Sequence, residues 1–87
     1  MTRDEITAIL RDRCCEHFGI EASECDESAL FDDFQCDELD RIEMAIFVED
    51  TFDVEFSDIE IDYRMITFGD LVNLVETKLS EKELVHD

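Results

Sequence analysis

The sequence predicts an all-α fold, a compact bundle of three longer helices and one short one. Three observations carry that expectation. The 87-residue chain has no proline and only two glycines, Gly19 and Gly69, so little in it interrupts a helix. Apolar residues recur at three- and four-residue spacing in three separate stretches. A 45% hydrophobic composition with seven phenylalanines supplies one core and is too apolar for a solvated acidic tail. Residues 1–87 are read as a single domain, with the core over about 3–79 and a frayed polar tail over 80–87.

The first helix opens on Thr2 and Glu5, which have capping-box spacing, and Asp4 and Glu5 set negative charge against the positive end of the helix dipole. Ile6, Ile9, Leu10, Cys14, His17 and Phe18 then form one apolar stripe, and Gly19 is placed to cap its end. His17 reads as a boundary residue, and neither it nor His86 has an obvious partner for catalysis. Residues 20–36 make a long connection with too many apolar groups for a free linker, and Leu30, Phe31 and Phe34 are its expected anchors.

The second helix is expected from about Asp37 to Phe52, with Asp37 as cap and Glu38 and Asp40 in the first turn. Leu39, Ile42, Ala45 and Ile46 make one stripe, and Met44, Phe47, Val48 and Phe52 widen it beyond what one core face requires. Part of that circumference is therefore expected to face a partner, with close packing on two sides as the alternative. A short helical turn follows over 58–64. Thr67 and Asp70, again at capping-box spacing, open a last helix whose core face is Phe68, Leu71, Val72, Val75 and Leu79.

Charge limits the function. Seven Lys and Arg stand against 26 Asp and Glu, a formal net charge of −19. Binding to nucleic-acid phosphates needs clustered cations, so it is excluded, and an anionic membrane surface is disfavoured. No apolar run approaches a membrane span. The N-terminal Met1-Thr2-Arg3-Asp4-Glu5 lacks the apolar segment of a secretory signal, so a cytoplasmic protein is expected, with Cys14, Cys15, Cys25 and Cys36 as free thiols. No metal site is expected. Cys14 and Cys15 are adjacent, no C-x₂-C pair exists, and the acidic run from Asp26 to Asp40 lacks the glycine and spacing of an EF-hand. A chain this small has no room for a deep catalytic cleft, and no Ser-His-acid constellation can be placed, so no enzyme is expected.

The stretch Leu30-Phe31-Asp32-Asp33-Phe34-Gln35-Cys36-Asp37-Glu38-Leu39-Asp40-Arg41-Ile42-Glu43-Met44 resembles the signature of the acyl carrier protein family. Downstream, Glu49-Asp50-Thr51-Phe52-Asp53-Val54-Glu55-Phe56 is similar to that family's acidic helix end and exit loop. The resemblance extends from Ile6 to about Leu79, with one extra residue between Ser57 and Met65. It implies a four-helix bundle with a long first loop, a recognition second helix and a short third helix.

One departure stands out. The family carries Asp-Ser-Leu at the start of the second helix, and that serine accepts 4′-phosphopantetheine; this chain has Asp37-Glu38-Leu39. A carboxylate is not an acceptor in that transfer, so the prosthetic group is expected to be absent. No other residue fits the role. Ser28 reads as a local cap, Ser57 lies where many relatives have proline, Ser23 and Ser80 lack the helix-start context, and Cys36 reads as a small loop residue.

The resemblance also implies a partner surface: Asp37, Asp40, Glu43, Glu49, Asp50 and Asp58 match acidic positions offered to basic patches on synthases or acyltransferases, with Leu39 and Ile46 as the apolar positions among them. Dense like charge speeds association with a cationic partner, and an apolar centre slows dissociation. The leading expectation is a monomeric, acidic, acyl-carrier-like module that docks on a basic protein without cargo. Two alternatives remain: a genuine acyl carrier whose serine was replaced or whose attachment point is unusual, and a nucleic-acid mimic.

Overall fold

A computed structural model describes residues 1–85. Helix α1 spans Arg3–Phe18, α2 spans Glu38–Phe52 and α3 spans Phe68–Val85. A short helical turn occupies 58–64, with π-type hydrogen bonding over Glu60–Arg64. The expected all-α bundle is therefore present, and the described residues contain no strand beyond one isolated bridge between Leu30 and Thr67. The long first connection holds two single 3₁₀ turns, Ala22–Glu24 and Phe31–Phe34.

Each long helix starts with a reciprocal cap, which satisfies backbone N–H groups that have no partner inside the helix. The Glu5 amide donates to Thr2 Oγ1 at 3.2 Å and the Thr2 amide to Glu5 Oε1 at 2.9 Å. Asp37 and Asp40 do the same for α2 at 2.8 and 3.1 Å, and Thr67 and Asp70 for α3 at 3.0 Å each way. Helix α1 ends on Gly19 at φ 66°, and α2 ends on Asp53 at φ 55°. Lys82 from α3 reaches that second terminus, bonding the Asp53 carbonyl at 3.0 Å and its carboxylate at 2.8 Å.

Helix α3 does not end near Leu79 as the sequence reading had it. Ser80, Glu81, Lys82 and Glu83 are exposed, but they include no helix breaker, and the Lys82–Asp53 contact holds them as helix. His86 and Asp87 lie outside the described residues.

The core is built from Ile6, Leu10 and Cys14 of α1, Met44, Val48 and Phe52 of α2, and Phe68, Leu71, Val72 and Val75 of α3, closed by Cys25, Phe31 and Met65 from the connections. Burying each large apolar side chain contributes about 1.5–3 kcal/mol. Phe31 is an anchor as expected, and Phe34 is half-buried with its ring 5.5 Å from that of Phe18. Leu30 is not an anchor: it is 40% exposed. Its backbone is extended, so its side chain points away from the core that its neighbour Phe31 enters.

The backbone of this segment makes the connection instead. Phe31 N–H donates to Ile66 O at 3.0 Å, Phe68 N–H to Ala29 O at 2.8 Å, and Gly69 N–H to Glu27 O at 2.9 Å. Gly69 lets the two segments approach this closely, since a Cβ there would lie 2.7 Å from the Glu27 carbonyl oxygen.

The few cations serve mainly as internal ties. Arg3 of α1 bonds Glu27 in the connection and Asn73 and Glu76 of α3, the last two at 2.8 Å. Arg11 donates to the Cys25 carbonyl at 2.8 Å, Lys78 pairs with Glu60 at 2.9 Å, and the Arg13 guanidinium lies 4.8 Å from the Phe47 ring centre. With these positive groups turned onto the protein's own backbone and acids, the outward surface is left strongly acidic. Among the described residues no helix is long and apolar enough to cross a membrane.

Candidate functional site

The first turn of α2 organises the site. Asp37 caps the helix, and Glu38, its first residue, is exposed at the end where the helix dipole favours negative charge. The structure thus puts Glu38 on an accessible helix start. Its side chain is a carboxylate with no hydroxyl to accept a phosphoryl group.

The other hydroxyls weighed as substitutes lie elsewhere. Ser28 Oγ donates to Asp26 Oδ1 at 2.9 Å, so Asp26 is the capping acceptor in that turn and Ser28 its donor, the reverse of the sequence reading. Ser57 caps the short turn, taking the Glu60 amide at 3.2 Å and donating to Glu60 Oε1 at 3.2 Å. Cys36 is half-buried beside Asp37. Burial pushes its thiol up to about 11, opposed by the nearby Arg41 charge, with lesser upward pushes from Asp40, Asp37 and Asp32. A thiol held protonated at neutral pH is a poor nucleophile.

Along α2 the apolar circumference divides in two. Met44, Ala45, Val48 and Phe52 are buried, whereas Leu39 is 61%, Ile46 52% and Ile42 41% exposed. Ala45, grouped by spacing with the last three, belongs to the core side. The exposed acids along this face are Asp37, Glu38, Glu43 and Asp50, and Asp58 is exposed on the short turn.

Two of the expected surface acids also have internal roles. Glu49 is half-buried and accepts the Phe56 amide at 2.9 Å, fixing the exit loop of α2. Asp40, also half-buried, accepts from His17 Nε2 on α1 at 2.9 Å. That hydrogen bond, followed by the Asp37 amide, holds the Asp40 carboxyl below the usual carboxylate range.

His17 therefore has a partner that the sequence reading did not find, with Glu43 Oε2 a further 3.7 Å contact and the Phe18 ring edge-on at 4.8 Å. No sequence signal pairs the end of α1 with the first turn of α2. Arg41 is a second missed residue. It reaches from α2 to the carbonyls of Met65 and, at 3.4 Å, Ile61, and so ties the short turn against α2. The exposed Ile59, Tyr63 and Ile66 of that region were also not anticipated as surface groups.

No protein-family model matches the chain. It is 34% identical over 80 residues to the acyl carrier protein of an Exiguobacterium species, covering 91% of this chain and all of that one. It is 33% identical to the acyl carrier protein of Clostridium acetobutylicum, over 83% of this chain and 94% of the relative. A third relative, the acyl carrier protein of Chlamydia felis, is 30% identical over 90% of this chain and 95% of its own. Among solved structures, the crystal structure of the acyl carrier protein of Thermotoga maritima superposes with a TM-score of 0.78 at 29% identity, covering 92% of this chain and 93% of that one.

Proposed function

The chain belongs to the acyl carrier protein family, and from that premise we propose that it is a carrier-fold docking module that does not itself carry phosphopantetheine. Its relatives are carriers rather than catalysts, in keeping with the absence of a catalytic constellation in the sequence reading. The observation that carries the proposal is Glu38: the accessible first residue of α2 offers an acid where the family's serine hydroxyl would be joined to the arm. Without the arm there is no terminal thiol and no thioester.

What remains is a binding surface. Leu39, Ile42 and Ile46 lie exposed among Asp37, Glu38, Glu43 and Asp50, an apolar centre with an anionic rim. Such a surface suits a partner with basic residues around an apolar recess, such as a synthase or acyltransferase. Each exposed ion pair contributes only about 0–1 kcal/mol, so the rim acts collectively, mainly on association rate.

A second reading, a genuine carrier with its arm attached elsewhere, is favoured by the near-complete coverage of relatives that are carriers by name. Co-expression with a broad-specificity phosphopantetheinyl transferase, followed by intact mass measurement, separates the two. The docking reading requires an unchanged mass. A mass increase on the unaltered chain establishes the second reading instead.

A further inference from the structure

We propose that His17, Asp40 and Glu43 form a binding site for a single divalent transition-metal ion of the zinc class. One ligand atom from each of the three side chains lies within 4.8 Å of the others, with His17 Nε2 at 2.9 Å from Asp40 Oδ1 and 3.7 Å from Glu43 Oε2. Ligands sharing one zinc ion at bond lengths of about 2.0–2.2 Å sit about 3.0–3.5 Å from one another. The two separations from His17 bracket that range, and the Asp40 and Glu43 oxygens, within 4.8 Å of each other, close by up to about 1.3 Å through side-chain rotation when both bind one ion.

The donors are held in place beforehand. Asp40 and Glu43 are three residues apart on α2 and so share a face. Asp40 Oδ2 is fixed by the Asp37 amide at 3.1 Å, which leaves Oδ1 for the ion. The His17 ring is held edge-on by Phe18, and its Nε2 already points at both carboxylates.

The chemistry favours a particular class of ion. An imidazole nitrogen with two carboxylate oxygens suits zinc and its first-row neighbours, whereas magnesium and calcium prefer oxygen alone. Two carboxylates and a neutral imidazole also balance a 2+ charge; the Nε2 proton that His17 gives to Asp40 in the metal-free protein is released, and the ring takes its Nδ1–H tautomer, which frees the Nε2 lone pair for the ion. Side-chain exposures of 16%, 28% and 50% for His17, Asp40 and Glu43 leave one side open for water to complete the coordination. The cysteines are not part of the site. An ion there ties the end of α1 to the first turn of α2, two residues from Glu38.

The test is titration of the full chain with Zn²⁺ in an excess of Mg²⁺, which occupies the diffuse acidic surface, together with nitrogen-detected NMR of the histidine rings. One Zn²⁺ per chain is expected, with the His17 Nε2 resonance moving on addition. His17→Gln and Glu43→Gln are each expected to weaken binding at least about tenfold, and His86→Gln to leave it unchanged. Zinc fully displaced by magnesium, or equal affinity in a folded His17→Gln, overturns the site. Should His17→Gln fail to fold, the unaltered chain decides: an unmoved His17 Nε2 resonance at saturating zinc overturns it equally.

Discussion

Replacing Gly69 by alanine tests the packing of the first connection against α3, because two effects of opposite sign compete there. In an open helix the change stabilises by about 1 kcal/mol through backbone entropy. Here the new Cβ would lie 2.7 Å from Glu27 O and 3.1 Å from Glu27 Cβ. The obstructing atom belongs to a backbone segment pinned just beyond Glu27 by the Phe68–Ala29 and Phe31–Ile66 hydrogen bonds, so relief requires moving that segment. Overpacking of this kind costs about 1–3 kcal/mol. Weakening the 2.9 Å Gly69–Glu27 bond adds about 0.5–1.5 kcal/mol. The net expectation is destabilisation by about 2 kcal/mol, a fall in melting temperature on the order of 10 °C for a domain of this size. Gly19→Ala is the control. Nothing lies within 4 Å of a Cβ there, and only the left-handed φ of 66° opposes it, at about 1 kcal/mol. Circular-dichroism melts and urea titrations with unchanged m-values measure both. Gly69→Ala equal to or more stable than the unaltered chain would refute the close approach.

Other substitutions and conditions test the remaining assignments. Met44→Ala, in the core, is expected to cost about 2–5 kcal/mol, whereas Leu39→Ala and Ile46→Ala, on the exposed face, should stay within about 0.5 kcal/mol in the same urea titrations. Asp40 is held below the ordinary range in the folded state, so its contribution to stability exists above the unfolded-state pKa and disappears as pH falls through the folded one. The melting-temperature gap between the unaltered chain and Asp40→Asn should therefore be widest near neutral pH and close on acidification below about pH 4. Since a net charge of −19 destabilises the compact state by self-repulsion, added sodium chloride or magnesium should raise the melting temperature; a flat response contradicts that.

Local chemistry accounts for what was legible in the sequence. Thr2–Glu5, Asp37 and Thr67–Asp70 act through neighbours in the chain, and each marks a helix start that the structure contains. The excess apolar circumference of α2 likewise signalled a face outside the core, realised at Leu39, Ile42 and Ile46. Periodicity alone did not assign Ala45 to the correct side. What the sequence withheld depends on register between distant segments: His17 with Asp40, Arg41 with Met65, and Gly69 against Glu27. Of these only Gly69 left a mark, as a glycine in the first turn of a helix, where close backbone approach is a standard reason for one. Leu30 and Phe31 show the limit from the other side. Both are large and apolar, yet an extended backbone sends only one of them inward.

Glu38 is the decisive residue, and a paired intact-mass measurement addresses its role most directly. The unaltered chain and Glu38→Ser are each co-expressed with the same transferase, and any adduct is located by peptide mapping. A chain that docks without carrying the arm gives an adduct on Ser at position 38 of the variant and none on the unaltered chain. A phosphopantetheine adduct anywhere on the unaltered chain contradicts the docking reading.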